Sequence, residues 1–216
     1  MRQQGVVCVC PKRFYAVDFL KDVIEHCWPD SKSPANPRIA PEVTMKGFGN
    51  VDYVIADILP DGLVQQFLSV ELQAIDITGS VMPAYAALLE NRDLERRPTY
   101  GLNWDNVYKR FVTQIIRKGY FHHHWGTKIV AVVQDVVYKY ICDRFEFMRS
   151  ADVKSATTNI IFMTYRYRSE PNDPPQLVLD SIEGTSHSNL QQAVLYKESP
   201  SRNAFCDQIK RSLNRR

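Results

Sequence analysis

Apolar side chains recur at Phe14, Val17, Leu20, Ile24 and Cys27, and these steps of three and four predict an amphipathic helix over Lys12 to Cys27. Trp28-Pro29-Asp30 ends it, and the Ser/Pro/Asn-rich stretch through Pro37 reads as a loop. Three strand-like runs follow: Arg38 to Met45, Val51 to Leu59 and Leu63 to Ile75. They are divided by the turns Lys46-Gly47-Phe48-Gly49-Asn50 and Pro60-Asp61-Gly62. A helical stretch is predicted near Val81 to Asn91, with Pro83 early in it, where a missing N–H is harmless. A second helix runs from Asp105 to Lys118. Its apolar face holds Val107, Tyr108, Phe111, Val112, Ile115 and Ile116, and Asn106, Arg110, Gln114 and Lys118 form a polar stripe at spacing four. Lys128 to Val133 is a compact β-branched strand, and Asp135 is placed to cap a helix from Val136 to Phe145. Two more strands, Asn159 to Tyr165 and Gln176 to Asp180, flank the turn Glu170-Pro171-Asn172-Asp173-Pro174-Pro175, and helices follow at Asn189 to Tyr196 and Asn203 to Leu213. This order predicts a mixed α/β sandwich around a central sheet, in one domain over residues 1–216, rather than a regular βαβ repeat.

Composition narrows the class without deciding it. Hydrophobic residues are 44% and charged residues 24% of the 216, enough for a sizeable core in a soluble globular protein. The net charge of +3 is compatible with a polyanionic partner but does not demand one. No apolar run reaches the ~18 residues a membrane helix needs, and the N-terminus lacks a secretory apolar region. Five irregularly spaced cysteines argue against a disulfide framework, so a reducing cytoplasm is the expected setting.

The chemistry is concentrated in two of the strands. Asp52 opens one apolar run, and Glu71 and Gln73 sit inside the next, among Phe67, Leu68, Val70, Leu72, Ala74 and Ile75. Alternate residues of a strand share a face, so Glu71 and Gln73 point the same way. If the two strands pair, Asp52 and Glu71 lie across from each other. Two carboxylates so placed are hard oxygen ligands for Mg²⁺, and an amide can orient water or touch a phosphate oxygen. The bland alternative is an amphipathic strand with Glu71 and Gln73 facing solvent. Against it stands the apolar character of both parities, since buried polar groups are costly without partners.

These residues also carry a family resemblance. Asp52…Glu71-Leu72-Gln73 resembles the PD-(D/E)xK nuclease core in its variant with glutamine in place of lysine. The chain resembles NotI-type restriction endonucleases in three stretches: Val70 to Ser80, Asn106-Val107-Tyr108-Lys109-Arg110 with Gln114, and Cys10-Pro11-Lys12-Arg13-Phe14. Glu198-Ser199-Pro200-Ser201-Arg202 also fits. The resemblance implies a restriction-endonuclease-like fold with a central mixed sheet flanked by helices. It implies a Mg²⁺-dependent type II endonuclease cutting double-stranded DNA, with Asp52 and Glu71 as metal ligands and Gln73 at the water-positioning place. A homodimer on a palindromic site follows from symmetry, with a DNA methyltransferase as the expected companion of the system. Family members carry an iron held by four cysteines ahead of the core. Cys10 matches the last of these and Cys8 stands near it, so residues 1–14 read as the remnant of a cysteine-rich segment and no structural iron is expected.

Lesser features complete the expectation. Lys109, Arg110, Gln114 and Lys118 are candidate DNA contacts, weighed against an ordinary solvated helix face. Arg166 and Arg168 alternate on a strand and offer a second contact. Lys46, in the glycine turn, and Glu42, one strand earlier, are accessory candidates, and Asp76 is a second-line acid or a helix-start residue. His122-His123-His124 reads as a polar loop end rather than a metal site. Two alternatives to a restriction enzyme are kept: a DNA-binding module with an inactive core, and a repair or mobile-element nuclease of the same fold.

Overall fold

The computed structural model describes residues 6–94, 100–170, 173–196 and 201–214. A 3₁₀ turn at Pro11–Ala16 precedes helix α1 (Phe19–Cys27). The single helix expected from Lys12 is split. Val17 is extended, and Asp18 starts a new helix by accepting the Lys21 N–H at 3.2 Å. Strands β1 (Pro37–Met45), β2 (Gly49–Ile58) and β3 (Val64–Gln73) form an antiparallel meander. Strand β4 (Ile77–Thr78), helix α2 (Met82–Leu89) and strand β5 (Gly101–Leu102) follow, β4 pairing with β5.

Helix α3 (Trp104–Asn106), a π-helical segment at Val107–Val112 and helix α4 (Thr113–His124) run on without a break. The remaining elements are β6 (Lys128–Gln134), α5 (Asp135–Arg144), β7 (Ile160–Arg168), β8 (Gln176–Thr185), α6 (His187–Leu195) and α7 (Arg202–Leu213). Helix α4 extends past Lys118 to His124, so the three histidines lie in its last turn and not in a loop end. Asp135 is the first residue of α5 rather than its cap, a place taken by Gln134.

The six-stranded sheet has the order β1-β2-β3-β6-β7-β8. It is mixed: β3–β6 and β6–β7 are parallel, and the other pairs are antiparallel. Parallel neighbours need crossovers. The α3–α4 stretch supplies one between β3 and β6, and α5 supplies the other. The fold is thus α/β with a central mixed sheet flanked by helices, as the sequence predicts. Strand β6 is buried along its whole length, which explains its unbroken run Ile129-Val130-Ala131-Val132-Val133.

Two cores sit on opposite faces of the sheet. On one, Phe14, Phe19, Val23 and Cys27 pack on Leu68, Val70, Val130, Val132, Ile161 and Met163. On the other, Phe111, Ile115, Val137, Ile141 and Leu190 pack on Ile129, Ala131, Val133, Ile160 and Phe162. Strand β3 ends at Gln73, two residues earlier than its apolar run predicts. There the N-terminal strap takes over the pairing: the Ile75 N–H donates to the Cys8 carbonyl at 3.1 Å. Buried Gln134 clamps the strap by accepting the Cys8 N–H at 2.7 Å and donating to the Val6 carbonyl at 2.6 Å.

Gly119 seats α4 tightly against β7. A Cβ there would lie 2.6 Å from Ile160 Cγ1 and 2.7 Å from its Cδ1, both in the packed core. Overpacking of that kind costs ~1–3 kcal/mol, against ~1 kcal/mol gained in helix propensity. Gly119→Ala is therefore expected to destabilise the protein by roughly 1 kcal/mol net in urea unfolding, whereas an increase in stability would contradict the close approach.

Candidate active site

Strands β2 and β3 pair from Ile58 and Val64 up to Tyr53 opposite Val70, and then separate. One more step of that register puts Asp52 opposite Glu71, on the same face. Where the ladder stops, the Asp52 side chain takes the place of a backbone acceptor: its Oδ2 receives the Leu72 N–H at 2.7 Å. Strand parity sends Leu68, Val70 and Leu72 to the α1 core and Ser69, Glu71 and Gln73 toward α4. All three polar residues expected of the site are partly buried at one end of the sheet.

Helix α4 meets this face with two polar rungs. Lys118, 4% exposed, donates through Nζ to a Glu71 carboxylate oxygen and to the Asn50 carbonyl, the latter at 2.6 Å. One turn later, His122 Nε2 lies 2.8 Å from Ser69 Oγ, and its Nδ1 lies 2.7 Å from the Lys118 carbonyl. Burial pushes the Glu71 carboxyl up to about 7. The Lys118 ammonium opposes that rise, and the Asp52 charge adds to it. Burial also pulls the His122 imidazole down to about 4, so it is neutral near pH 7.

Lys118 thus departs from the expected solvent-facing stripe. Within α4, Lys118 stands three residues after Ile115 and four before His122, so a 3.6-residue period sets it on their face. Lys118 thereby joins the row of Phe111, Ile115 and His122, all buried. Arg110 and Gln114 stay exposed. Lys109 is exposed too, with its Nζ 2.9 Å from Asp105.

A polar cleft of about 230 Å³ opens beside Gln73, lined among others by Asp76, Asn106, Arg110, Gln114 and Pro11. Gln73 Nε2 donates to the Ala74 carbonyl, and the Asn106 amide donates to Asp76. Asp76 is exposed, and its carbonyl accepts the Asn103 N–H at 2.7 Å, so it also anchors the start of α3.

Glu42 lies on β1 between Pro41, opposite Tyr53, and Val43, opposite Val51, which sets it across from Asp52. Its φ of 50° is in the left-handed region, rare for a non-glycine residue in a strand. Lys46 is exposed in the hairpin turn. Arg166 and Arg168 are engaged with Asp180 and Glu170, each at 2.8 Å. Among the described residues no three His, Cys, Asp or Glu side chains group closely enough to share an ion, and no helix is long and apolar enough to cross a membrane.

Sequence reasoning missed the Asn50 carbonyl, the Lys118–Glu71 pair and the Ser69–His122 rung. The available signal was the helical spacing of Lys118 and His122 with Phe111 and Ile115, which a true 3.6-residue period places on one buried face.

A central mixed six-stranded sheet flanked by helices is consistent with a restriction-endonuclease-like core. The sequence matches the family described as Restriction endonuclease NotI over residues 3–176. The chain belongs to the NotI restriction endonuclease family, and is a restriction endonuclease acting on DNA. No curated protein matches the sequence.

Proposed function

We propose that the protein is a Mg²⁺-dependent type II endonuclease that hydrolyses phosphodiester bonds at a specific site in double-stranded DNA. It works as a homodimer on a palindromic sequence, alongside a cognate methyltransferase. The observation that carries this reading is the Asp52–Glu71 pair, two carboxylates facing each other where β2 and β3 part. The donor set fits the ion: both groups offer hard oxygens, partly buried at the same end of the sheet. A bound Mg²⁺ supplies charge neutralisation at the phosphate and lowers the pKa of a coordinated water.

In this reading Asp52 and Glu71 are the metal ligands, with Asp52 held in place by the Leu72 N–H. Gln73, on the same face, positions the attacking water or a phosphate oxygen from the edge of the polar cleft. Glu42 is an accessory acid across from Asp52, and its left-handed backbone is the kind of local strain found at functional positions. Lys46 approaches the DNA from the hairpin turn, and Asp76 supports the cleft through Asn106.

Lys109, Arg110 and Gln114 contact the DNA backbone from the exposed side of the cleft. Arg110→Ala is expected to weaken duplex binding on every sequence and to reduce the salt slope by ~1. An unchanged slope in a salt titration would remove Arg110 from the interface. The reading as a whole is tested by incubating the protein with plasmid and Mg²⁺. Discrete fragments support it, and duplex binding with no cleavage under any divalent ion would leave an inactive DNA-binding module instead.

A further inference from the structure

Both candidate metal ligands already have partners: Asp52 has the Leu72 N–H, and Glu71 has the Lys118 ammonium. The second partner is unusual. Lys118 is 4% exposed, and the Glu71 side chain retains 13% of its exposure, so the pair is nearly removed from solvent. The same ammonium reaches the Asn50 carbonyl, two residues before Asp52, so one cation lies across the ends of both site strands. Its helix is held in register independently, one turn on, by the Ser69–His122 contact at 2.8 Å.

We propose that Lys118 is a placeholder cation: it occupies Glu71 while the site holds no metal, and it gives up that carboxylate when metal and a DNA phosphate arrive together. The inference rests on the reading of Asp52 and Glu71 as metal ligands. Its physical basis is competition. A divalent ion and an ammonium sharing one carboxylate in a poorly solvated place repel each other strongly, because screening is weak there. A buried ammonium stripped of its partner is also costly, so it needs a new anion within reach. A DNA phosphate is that anion. Metal binding and DNA binding are then coupled, and the coupling is reciprocal. Lys118 acts through Glu71 and is a positioning residue. A merely structural lysine would, when removed, loosen the site and weaken metal binding.

The test is the affinity for Mn²⁺ in the full chain, with and without a DNA duplex. In the unaltered protein the duplex is expected to tighten Mn²⁺ binding at least about tenfold, within the usual range of coupling. Equal affinity in both conditions overturns the proposal. Lys118→Gln, whose amide can still donate to the Asn50 carbonyl, is expected to bind Mn²⁺ more tightly than the unaltered protein in the absence of DNA. It is also expected to lose most of the gain given by the duplex. Affinity equal to or weaker than that of the unaltered protein without DNA overturns the proposal. If Lys118→Gln does not fold, Lys118→Met is read in the same way, and the duplex comparison on the unaltered protein decides if neither folds. Ser69→Ala, which removes the neighbouring rung, is expected to lower thermal stability without tightening Mn²⁺ binding. A matching gain there would also overturn the proposal. Glu71→Gln separates the two levels: if it leaves Mn²⁺ affinity unchanged, the reading of Glu71 as a ligand fails, whatever Lys118 does.

Discussion

Asp52→Asn and Glu71→Gln are each expected to slow cleavage of duplex DNA by at least about 10³-fold, equivalent to roughly 4 kcal/mol of barrier. Each substitution keeps the shape of the side chain and removes the charge that, in the proposed reading, holds a divalent ion. Asp52→Asn retains an oxygen for the Leu72 N–H, and Glu71→Gln retains one for the Lys118 ammonium. Both variants should therefore fold and bind duplex DNA. Truncation to alanine is a poorer test at Glu71, because it leaves a buried ammonium without its carboxylate, a loss of ~3–5 kcal/mol in stability. The measurement is single-turnover cleavage beside a melting curve and a binding isotherm. Cleavage within tenfold of the unaltered protein, by either variant, would remove that carboxylate from the reaction.

The second large effect is on the pH dependence of stability, where Glu71 and His122 act in opposite directions. The Glu71 carboxyl, ordinarily near 4.5, stands at about 7 in the fold. Between those values the folded state keeps a proton that the unfolded chain releases, so stability falls as pH rises through the window, by roughly 3 kcal/mol in full. The His122 imidazole, ordinarily near 6.5, stands at about 4. Between those values the unfolded chain holds the extra proton, so stability rises with pH by a similar roughly 3 kcal/mol. The two nearly cancel from about pH 4.5 to 6.5. What remains is a loss below that range from His122 and a loss from about pH 6.5 to 7 from Glu71. Glu71→Gln abolishes one side of the balance, so its stability should climb steeply from pH 4 to 6.5 and stay level above. Urea unfolding across pH 4 to 8 reads this directly. Parallel profiles for the variant and the unaltered protein would show that the Glu71 carboxyl is not raised.

In the proposed reading the same carboxyl sets the lower limb of activity. Protonated Glu71 is a poor ligand for a cation, so metal-dependent cleavage is expected to rise between about pH 6 and 8.

Much of the fold was legible in the chain. Val51 to Leu59 and Leu63 to Ile75 read as strands because their residues are apolar and β-branched over lengths that strands use, and the glycine turns before and between them require backbone only glycine adopts freely. Gly47, Gly49 and Gly62 all have positive φ. Parity then put Glu71 and Gln73 on one face with no tertiary information, since the period of a strand is two whatever it packs against. Element ends were less legible. β3 stops at Gln73 because the Cys8 strap supplies a different partner for Ile75, and α1 starts at Phe19 because Asp18 captures a backbone N–H.

The sequence by itself determined the mixed α/β class and, through its motifs, the nuclease family, and it supplied Asp52, Glu71 and Gln73 as the proposed site. These depend on local periodicity and on residue chemistry, which the order of residues carries directly. The tertiary structure alone decided what each polar group touches. Lys118 belongs by spacing to a polar stripe with Arg110 and Gln114, yet it shares the buried face of Ile115 and His122, and the close seat of Gly119 on Ile160 holds it against Glu71. Forty-seven residues separate that lysine from its carboxylate, and only the packing of α4 across β3 brings them together.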